Sequence, residues 1–305
     1  MTRHTTTPVL QAGKEALFRY DLTMPFRIYR TDSSVLIENT GTPDTFYEVK
    51  EGFSFNALFT AEDPDSYVAS ACASAPEVTW ESPSGFAAPI GDQEIWAAGV
   101  TYFRSRTARM EEAETAGGDI FYDKVYEADR PELFFKATAP RTRGHEDKVA
   151  IRSDSTWDVP EPELTLAINS QGKIFGHTVG NDMSSRSIEG ENPLYLPQAK
   201  VYTGSCAIGP CLFVGESPIP DTSIKIKINR GGETVFSGET EVAQLKRGFD
   251  ELAGWLFRSN EFACGAYLMT GTGIVPDSDF TLREGDAISI TIEGIGTLRN
   301  LVEVV

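Results

Sequence analysis

The chain has 305 residues, of which 40% are hydrophobic and 24% are charged, an ordinary composition for a globular protein. The formal net charge of −18 argues against nucleic acid or an anionic membrane as a partner, because both attract positively charged surfaces. No apolar run approaches the length of a membrane span, and no signal peptide is evident. The four cysteines lack a zinc-binding spacing. We therefore expect reduced thiols in a cytoplasmic protein.

Residues 1–90 are predicted to form a small α+β module. Strands are expected at residues 26–30, 35–38 and 45–49. Asp63, followed by proline, predicts the N-cap of a helix. A segment rich in proline, serine and glycine then predicts a linker, which ends at about residue 90. Residues 91–305 are expected to form a second, larger domain.

The second domain is predicted to be rich in strands. Alternating isoleucines predict strands at residues 224–228 and 288–292, and a Gly-Gly pair at 231–232 predicts a hairpin turn. Apolar residues at three- and four-residue steps predict a helix from Val242 to Leu256, and a shorter helix is expected over residues 105–114. Since strands dominate and helices do not alternate with them, the predicted class is α+β and β-rich.

Two glutamates two residues apart are the most informative feature of the chain. On a strand, Glu161 and Glu163 point to the same face. A two-residue loop within the turn at 169–172 would place Gly180 opposite Glu161 and Asp182 diagonal to Glu161, with room for an ion at the glycine. Three carboxylates on one face suit a hard divalent cation such as Mg²⁺. The spacing alone favours a solvated strand face instead, and a loop one residue longer would reverse the facing of Asp182.

Further groups are candidates for a binding or catalytic site. Arg104 and Arg106 could bind an acidic substrate through paired guanidinium contacts, although weak surface ion pairs explain them as well. Lys200 follows an apolar stretch, where burial would suit it to proton transfer unless its ammonium group reaches the solvent. Glu132 lies beside aromatic residues, a setting that suits a carboxyl group to acid–base chemistry. The loop at 270–273 could donate hydrogen bonds to an oxyanion.

These segments together resemble the fumarylacetoacetate hydrolase superfamily over roughly residues 95–305. The motifs that carry the resemblance are Glu161-x-Glu163, the segments 178–186, 198–200 and 268–273, and, near the C terminus, Gly285-Asp286 and residues 292–300. The resemblance implies a β-rich α+β domain in which Glu161, Glu163 and Asp182 bind Mg²⁺, or Mn²⁺ or Ca²⁺. It also implies that Lys200 is the active-site lysine and that Thr272 contacts the substrate.

One segment departs from the hydrolytic members of this superfamily. Those members carry a histidine after a segment that resembles Gly-Leu-Asn-Tyr, and this histidine activates water together with a glutamate. Ser105 stands at that position here, so activation of water for C–C cleavage is not expected. Residues 99–106, with the segments 123–126 and 130–136, are instead similar to the branch that dehydrates 2-keto-3-deoxy-pentonates such as 2-keto-3-deoxyarabinonate.

The resemblance to this branch implies loss of water from a 2-keto-3-deoxy-pentonate to give 2,5-dioxopentanoate in pentose catabolism. Removal of a C3 proton and departure of the C4 hydroxyl group would involve Lys200 and Glu132. The implied substrate contacts are Arg104, Ser105, Arg106 and Thr272. The alternatives are acylpyruvate hydrolysis, oxaloacetate decarboxylation or tautomerisation within the superfamily, and a non-catalytic scaffold that binds small acids. The superfamily also implies a homo-oligomer, a dimer or a tetramer.

Overall fold

The structure, a computed structural model, describes residues 25–42, 44–80, 85–103, 124–216 and 218–305. The predicted substrate contacts Arg104, Ser105 and Arg106, and the helix predicted at 105–114, lie outside these ranges. Strands dominate the described residues, which confirms the β-rich α+β class. None of the helices in the described part of the chain is long and apolar enough to cross a membrane.

The described strands are numbered in chain order. Strands β1 to β8 are Phe26–Arg30, Val35–Asn39, Phe46–Val49, Glu77–Val78, Glu94–Gly99, Glu132–Ala137, Thr142–Arg143 and Lys148–Ile151. Strands β9 to β16 are Asp158–Ile168, Ile174–Ser185, Cys206–Val214, Ser223–Arg230, Glu233–Glu241, Ala266–Met269, Ala287–Ile292 and Gly296–Val304. The helices α1 to α5 are Phe55–Thr60, Pro64–Ser74, Arg186–Glu191, Leu196–Lys200 and Phe249–Leu256.

The strands form two sheets. The larger has eleven strands in the order β4-β3-β2-β1-β11-β10-β9-β14-β5-β6, and β7 pairs with β11 beside this path. The smaller has five strands in the order β13-β12-β15-β16-β8. The strands of residues 1–90 thus continue the sheet of residues 91–305, through antiparallel pairing of β1 with β11. The predicted division of the chain at residue 90 stays a prediction.

Strands β9 and β10 lie at the centre of the large sheet and are covered on both faces. On one face, Leu164 packs with Ile226 and Ile290 of the small sheet, and Leu166 packs with Leu252 of α5. On the other face, α1 and α2 cover the sheet near β14. Every residue of β9 is buried as a result. Polar side chains on these strands therefore need partners within the protein.

The helix predicted from Val242 to Leu256 is wrong in its continuity. A 3₁₀ helix covers Val242–Gln244, and α5 begins only at Phe249. Between them the backbone of Leu245 is extended and forms a β-bridge with Tyr102. The apolar stripe marks the buried side of both pieces, but backbone pairing with another segment interrupts the helix.

The predicted strands, the helix N-cap at Asp63 and the Gly-Gly turn are confirmed at the level of elements. Helix α2 begins at Pro64, and the Asp63 carboxylate accepts a hydrogen bond from the Ser66 N–H at 3.1 Å, as expected of an N-cap. Gly231 and Gly232 have φ values of 60° and 90° in the turn between β12 and β13. These positive angles explain the Gly-Gly pair, since side chains rarely tolerate them.

Candidate metal and active site

The two central strands pair in a register that differs from the predicted one. Glu161 lies opposite Asp182, and Glu163 lies opposite Gly180, whereas the predicted loop places Gly180 opposite Glu161. The difference is two residues. Because side chains alternate with a period of two, all three carboxylates still lie on one face of the sheet.

Two separate irregularities produce this shift. The turn is one residue longer than predicted, since the Asn169 N–H donates to the Lys173 carbonyl at 2.9 Å. A β-bulge between Ile174 and Gly176 then adds a second residue to β10. Either irregularity alone would turn Asp182 to the opposite face of the sheet.

Gly180 does not make room for an ion beside Glu161, so that expectation is wrong. A Cβ atom at Gly180 would lie 2.3 Å from the Thr165 Oγ1 atom and 3.0 Å from the Met269 Cε atom. The glycine therefore accommodates neighbouring side chains at the centre of the sheet.

The three carboxylates are buried and close together. Glu161, Glu163 and Asp182 are 4%, 2% and 1% exposed, so the alternative of a solvated strand face is wrong. One oxygen from each residue lies within 4.8 Å of the others. Burial, together with the charges of Asp182 and Glu161, raises the pKa of Glu163 well above its usual value, and Lys200 opposes this shift. A cluster of this kind fits a divalent cation, which stabilises the ionised form of all three ligands.

Lys200, the last residue of α4, points into the carboxylate cluster. Its ammonium group is buried and lies 2.5 Å from Glu161 Oε2 and 3.0 Å from Asp182 Oδ2. It also lies 5.7 Å from the centroid of the Phe134 ring. Lys200 is therefore not a lysine that reaches the solvent, and its position agrees with the role that the family resemblance implies.

Two further cations in the site were not predicted. Lys136 is fully buried, and its Nζ lies 2.5 Å from Asp182 Oδ1 and donates to the carbonyls of Met183 and Lys200 at 3.0 and 2.5 Å. Arg186 is 1% exposed, and its Nη2 lies 3.5 Å from Glu161 Oε1. A lysine inside the apolar run Leu-Phe-Phe-Lys-Ala was the available signal for burial of Lys136.

The loop at 270–273 meets Glu163. The Gly271 N–H donates to Glu163 Oε2 at 2.6 Å. Gly271 has a φ of 94°, and a Cβ atom there would lie 2.0 Å from Thr101 Oγ1, so a larger residue does not fit. Thr272 lines the cleft that contains the three carboxylates. Its hydroxyl group lies 3.2 Å from both the N and the O atoms of Ile274. The structure thus brings Thr272 to the site, and its role as a substrate contact stays a prediction.

Glu132, at the start of β6, lies against Gly99, which lines the cleft. It pairs with Gly99, and its Oε2 lies only 2.1 Å from where a Cβ atom of Gly99 would stand. The lack of a side chain at Gly99 therefore lets the carboxyl group approach the backbone. The next residue, Val100, lines the cleft with a φ of 53°, which is unusual for a β-branched residue. Strained backbone of this kind is often found at functional sites.

A narrow cleft connects these groups. Its polar side contains the three carboxylates with Lys200 and Arg186, and its less polar side contains Ala98, Gly99, Val100 and Phe134. Clustered carboxylate oxygens can hold a divalent cation, and the cations beside them can stabilise negative charge on a small molecule. The site therefore fits a small anionic ligand bound together with a metal ion.

Comparison with known proteins agrees with this arrangement. Residues 95–303 match the family model described as the C-terminal domain of fumarylacetoacetate (FAA) hydrolase. A probable 2-keto-3-deoxyxylonate dehydratase of Haloferax volcanii is 50% identical over 219 residues, which are 71% of this chain and 74% of that protein. The 2-dehydro-3-deoxy-D-arabinonate dehydratase of Saccharolobus solfataricus is 44% identical over 214 residues, which are 69% and 72% of the two chains.

A solved structure is also similar. It is 2-keto-3-deoxy-D-arabinonate dehydratase complexed with magnesium and 2,5-dioxopentanoate, with a TM-score of 0.77 and 34% identity, covering 92% of this chain and 99% of that one. The fold and the buried carboxylates define a β-rich protein with a site for a divalent cation. The chain belongs to the fumarylacetoacetate hydrolase family, as the motifs predicted.

Proposed function

We propose that this protein is a metal-dependent hydro-lyase that uses Mg²⁺ to convert a 2-keto-3-deoxy-pentonate, of the arabinonate or xylonate type, to 2,5-dioxopentanoate in pentose catabolism. The observation that carries the proposal is the buried cluster of Glu161, Glu163 and Asp182 with Lys200. Relatives at 50% and 44% identity with dehydratase names support it. So does a similar structure that contains magnesium and the proposed product.

The chain supplies the binding groups for the metal and the acid–base groups for the reaction. Glu161, Glu163 and Asp182 would hold Mg²⁺ through carboxylate oxygens. When bound, the metal would supply Lewis-acid polarisation of a substrate carbonyl. Lys200 lies beside these ligands, where an ammonium group can stabilise negative charge on a substrate oxygen or transfer a proton.

Loss of water requires removal of a proton from C3 and departure of the hydroxyl group from C4. Glu132 and Lys200 are the proposed groups for these two proton movements, because Lys200 lines the cleft, Glu132 lies against Gly99 of the cleft, and both can exchange protons. Loss of water leaves a 5-hydroxy enone with a double bond between C3 and C4, and its tautomerisation, in which C5 loses a proton and C3 gains one, gives the 5-aldehyde. The proposed substrate contacts are Thr272, in the cleft, and Arg104, Ser105 and Arg106, which follow the described residue Phe103.

The positions of the described histidines do not favour a hydrolytic reaction. His177 lies on β10 but projects from the face opposite the carboxylates, since Thr178 and Asp182 share a face. His145 accepts a hydrogen bond from the Arg299 N–H at 3.2 Å and does not line the cleft. Within the described ranges, no histidine is placed to activate water there. A scaffold without activity is also less well supported, since it would not require a buried lysine within the carboxylate cluster.

We further infer that the protein acts in the cytoplasm as a homo-oligomer, a dimer or a tetramer. This inference rests on the family resemblance. Light scattering coupled to size-exclusion chromatography would give the number of subunits directly, and a monomeric mass would contradict it.

A panel of substrates tests the proposed function. The protein is incubated with Mg²⁺ and, in parallel, with 2-keto-3-deoxy-arabinonate, 2-keto-3-deoxy-xylonate, an acylpyruvate and oxaloacetate, and the products are identified by NMR. We expect 2,5-dioxopentanoate from at least one keto-deoxy acid and no pyruvate from the acylpyruvate. Release of pyruvate would support a hydrolase, turnover of oxaloacetate alone would support a decarboxylase or tautomerase, and no turnover would support a scaffold.

A further inference from the structure

A basic pair outside the cleft, Lys246 and Arg247, connects α5 with the segment that precedes Glu132. The pair lies between the 3₁₀ helix at Val242–Gln244 and the start of α5. Residues 124–127 form a helical turn, and backbone carbonyls within this turn and just after it accept hydrogen bonds from the pair. The last carbonyls of a helix have no partner within the helix, so they need a donor from elsewhere.

Arg247 supplies these donors. Its side chain is 7% exposed. Its Nη2 donates to the Ala128 carbonyl at 2.6 Å and to the Val125 carbonyl at 3.4 Å, and its Nη1 donates to the Asp129 carbonyl at 3.1 Å. The Nη1 atom also donates to Glu251 Oε1 of α5 at 2.6 Å. One buried guanidinium group thus ties three backbone carbonyls of residues 125–129 to α5, which a single-point cation such as lysine does not reproduce.

Lys246 and α5 add contacts to the same segment. The Lys246 ammonium group donates to the Tyr126 carbonyl and lies 3.9 Å from the centroid of the Tyr126 ring. Its backbone N–H donates to the Thr101 carbonyl at 3.0 Å. Farther along, the Arg130 guanidinium group lies 4.6 Å from the centroid of the Trp255 ring. The pair and α5 therefore hold both the segment 125–130 and the backbone at Thr101, two residues after β5.

Both held segments reach the cleft. Val125 and Tyr126 pack on Val100, which lines it. Asp129 is three residues before Glu132, and the intervening Pro131 has a fixed φ that limits how a displacement can be absorbed. A shift of the backbone at 128–129 would therefore move Glu132 away from Gly99.

We propose that Arg247 is a positioning residue for the dehydration, because it sets the location of Glu132 and Val100 relative to the carboxylate cluster. This inference rests on the proposed function and on the proton-transfer role of Glu132. Arg247 contacts none of the three carboxylates, so its effect is separate from metal binding.

The test compares Arg247→Met with Arg258→Met. Arg258 lies just beyond the same helix, with its guanidinium group 3.8 Å from the centroid of the Trp255 ring, and serves as the matched control. We expect Arg247→Met to lower kcat by about 10- to 100-fold, the range that a displacement of about 1 Å can produce. The Mg²⁺ affinity, measured by calorimetry, should be unchanged in both variants, and Arg258→Met should keep the kcat of the wild type.

A double-mutant cycle with Glu132→Gln separates positioning from general destabilisation. If Arg247 acts through Glu132, Arg247→Met should cause little further loss of kcat in the Glu132→Gln background. Multiplication of the two losses, or a wild-type kcat in a folded Arg247→Met variant, would overturn the proposal. If Arg247→Met does not fold, Arg247→Lys takes its place in the same cycle. This variant should also have a lower kcat, because a lysine ammonium group has one nitrogen where the guanidinium group of Arg247 uses two, Nη1 and Nη2, as donors.

Hydrogen exchange keeps the positioning claim testable apart from turnover. Arg247→Met should speed amide exchange in residues 125–132 and leave residues 161–182 as in the wild type. Unchanged exchange in residues 125–132 would overturn the proposal. Absence of dehydration by the wild-type protein would instead contradict the proposed function, whatever the exchange result.

Discussion

Glu163 shows at the scale of a single residue why the site is suited to a cation. It is buried beside two other carboxylates, and this raises its pKa well above its usual value. Glu163→Gln keeps the shape of the side chain, and its amide oxygen can still accept the hydrogen bond from the Gly271 N–H. The substitution removes one anionic ligand. We expect the Mg²⁺ affinity, measured by calorimetry, to fall at least about tenfold. Mutation of a residue that only hydrogen-bonds to a metal ligand already lowers metal affinity by about that factor.

In the absence of metal, the same substitution should increase the stability of the fold. A carboxyl group with a raised pKa in the folded state destabilises the fold once the pH exceeds its unfolded pKa. In EDTA at pH 8, Glu163→Gln should therefore unfold at a higher temperature than the wild type. A lower melting temperature would show that the charge of Glu163 is compensated by its neighbours without a metal.

Lys200 is a residue for which we expect a large loss of turnover without loss of the fold. Lys200→Met removes the ammonium group, which lies 5.7 Å from the centroid of the Phe134 ring, but keeps most of the apolar stem of the side chain. We expect kcat to fall by about 100-fold or more, the usual scale for a positioned proton-transfer group. Lys225→Met, at an exposed lysine of β12, is the control. An unchanged kcat in Lys200→Met would remove Lys200 from the chemistry.

Part of the site was visible in the sequence at this scale, and part was not. The two glutamates, Asp182 and Lys200 could be predicted because they lie in ordered motifs. Lys136 was missed as a member of the site because its contact with Asp182 joins β6 to β10, which are not neighbours in the large sheet. Such contacts depend on how separate strands assemble, and spacing along one strand does not contain that information.

At the scale of elements, the hairpin of β9 and β10 shows where local prediction fails. The alternation of side chains placed the carboxylates on one face correctly. The register was wrong because neither the longer turn nor the bulge at residues 174–176 leaves a clear mark in the sequence. The helix predicted at 242–256 failed for a related reason, since Leu245 pairs with Tyr102 across a long separation in the chain.

The opposite face of β10 gives a prediction about acid stability. His177 is fully buried near Phe249, and neither ring nitrogen has a hydrogen-bond partner among the described residues. Burial lowers the pKa of His177 to about 4, against about 6.5 when the chain is unfolded. The folded state therefore binds a proton at His177 more weakly than the unfolded state does. Above pH 6.5 the histidine is neutral in both states and the fold has its full stability, and this stability decreases as the pH falls from 6.5 towards 4.

Urea unfolding at pH 7 and pH 4.5 tests this prediction with His177→Leu. The wild type should lose up to about 3 kcal/mol more than the variant between these pH values, as two to three pKa units imply. Comparing each protein with itself at the two pH values removes any constant cost of the substitution. An equal loss in both proteins would contradict the prediction.

At the scale of the whole molecule, the net charge of −18 should make stability depend on salt. The chain has 45 acidic and 27 basic residues, so the folded state has an excess of like charges that repel one another. Raising KCl from 10 mM to 0.5 M in EDTA shortens the screening length from about 30 Å to less than about 8 Å. We expect the melting temperature to rise over this range, and a constant or falling value would contradict this account.

The assembly of the whole sheet was the part of the fold least accessible to sequence reasoning. The individual strands β1 to β3 were predicted nearly in full, but β1 pairs with β11, nearly two hundred residues away. Local patterns carry no information on such pairings. They became predictable only for residues 95–305, where ordered motifs indicated a known fold.

The central claim is that the buried carboxylates support a Mg²⁺-dependent loss of water. The rate of 2,5-dioxopentanoate formation from a 2-keto-3-deoxy-pentonate, measured against Mg²⁺ concentration after exhaustive chelation, tests it most directly. We predict no formation without metal, a saturable rise with Mg²⁺ in the wild type, and almost none in Glu163→Gln. A full rate after chelation, or in Glu163→Gln, would contradict the claim.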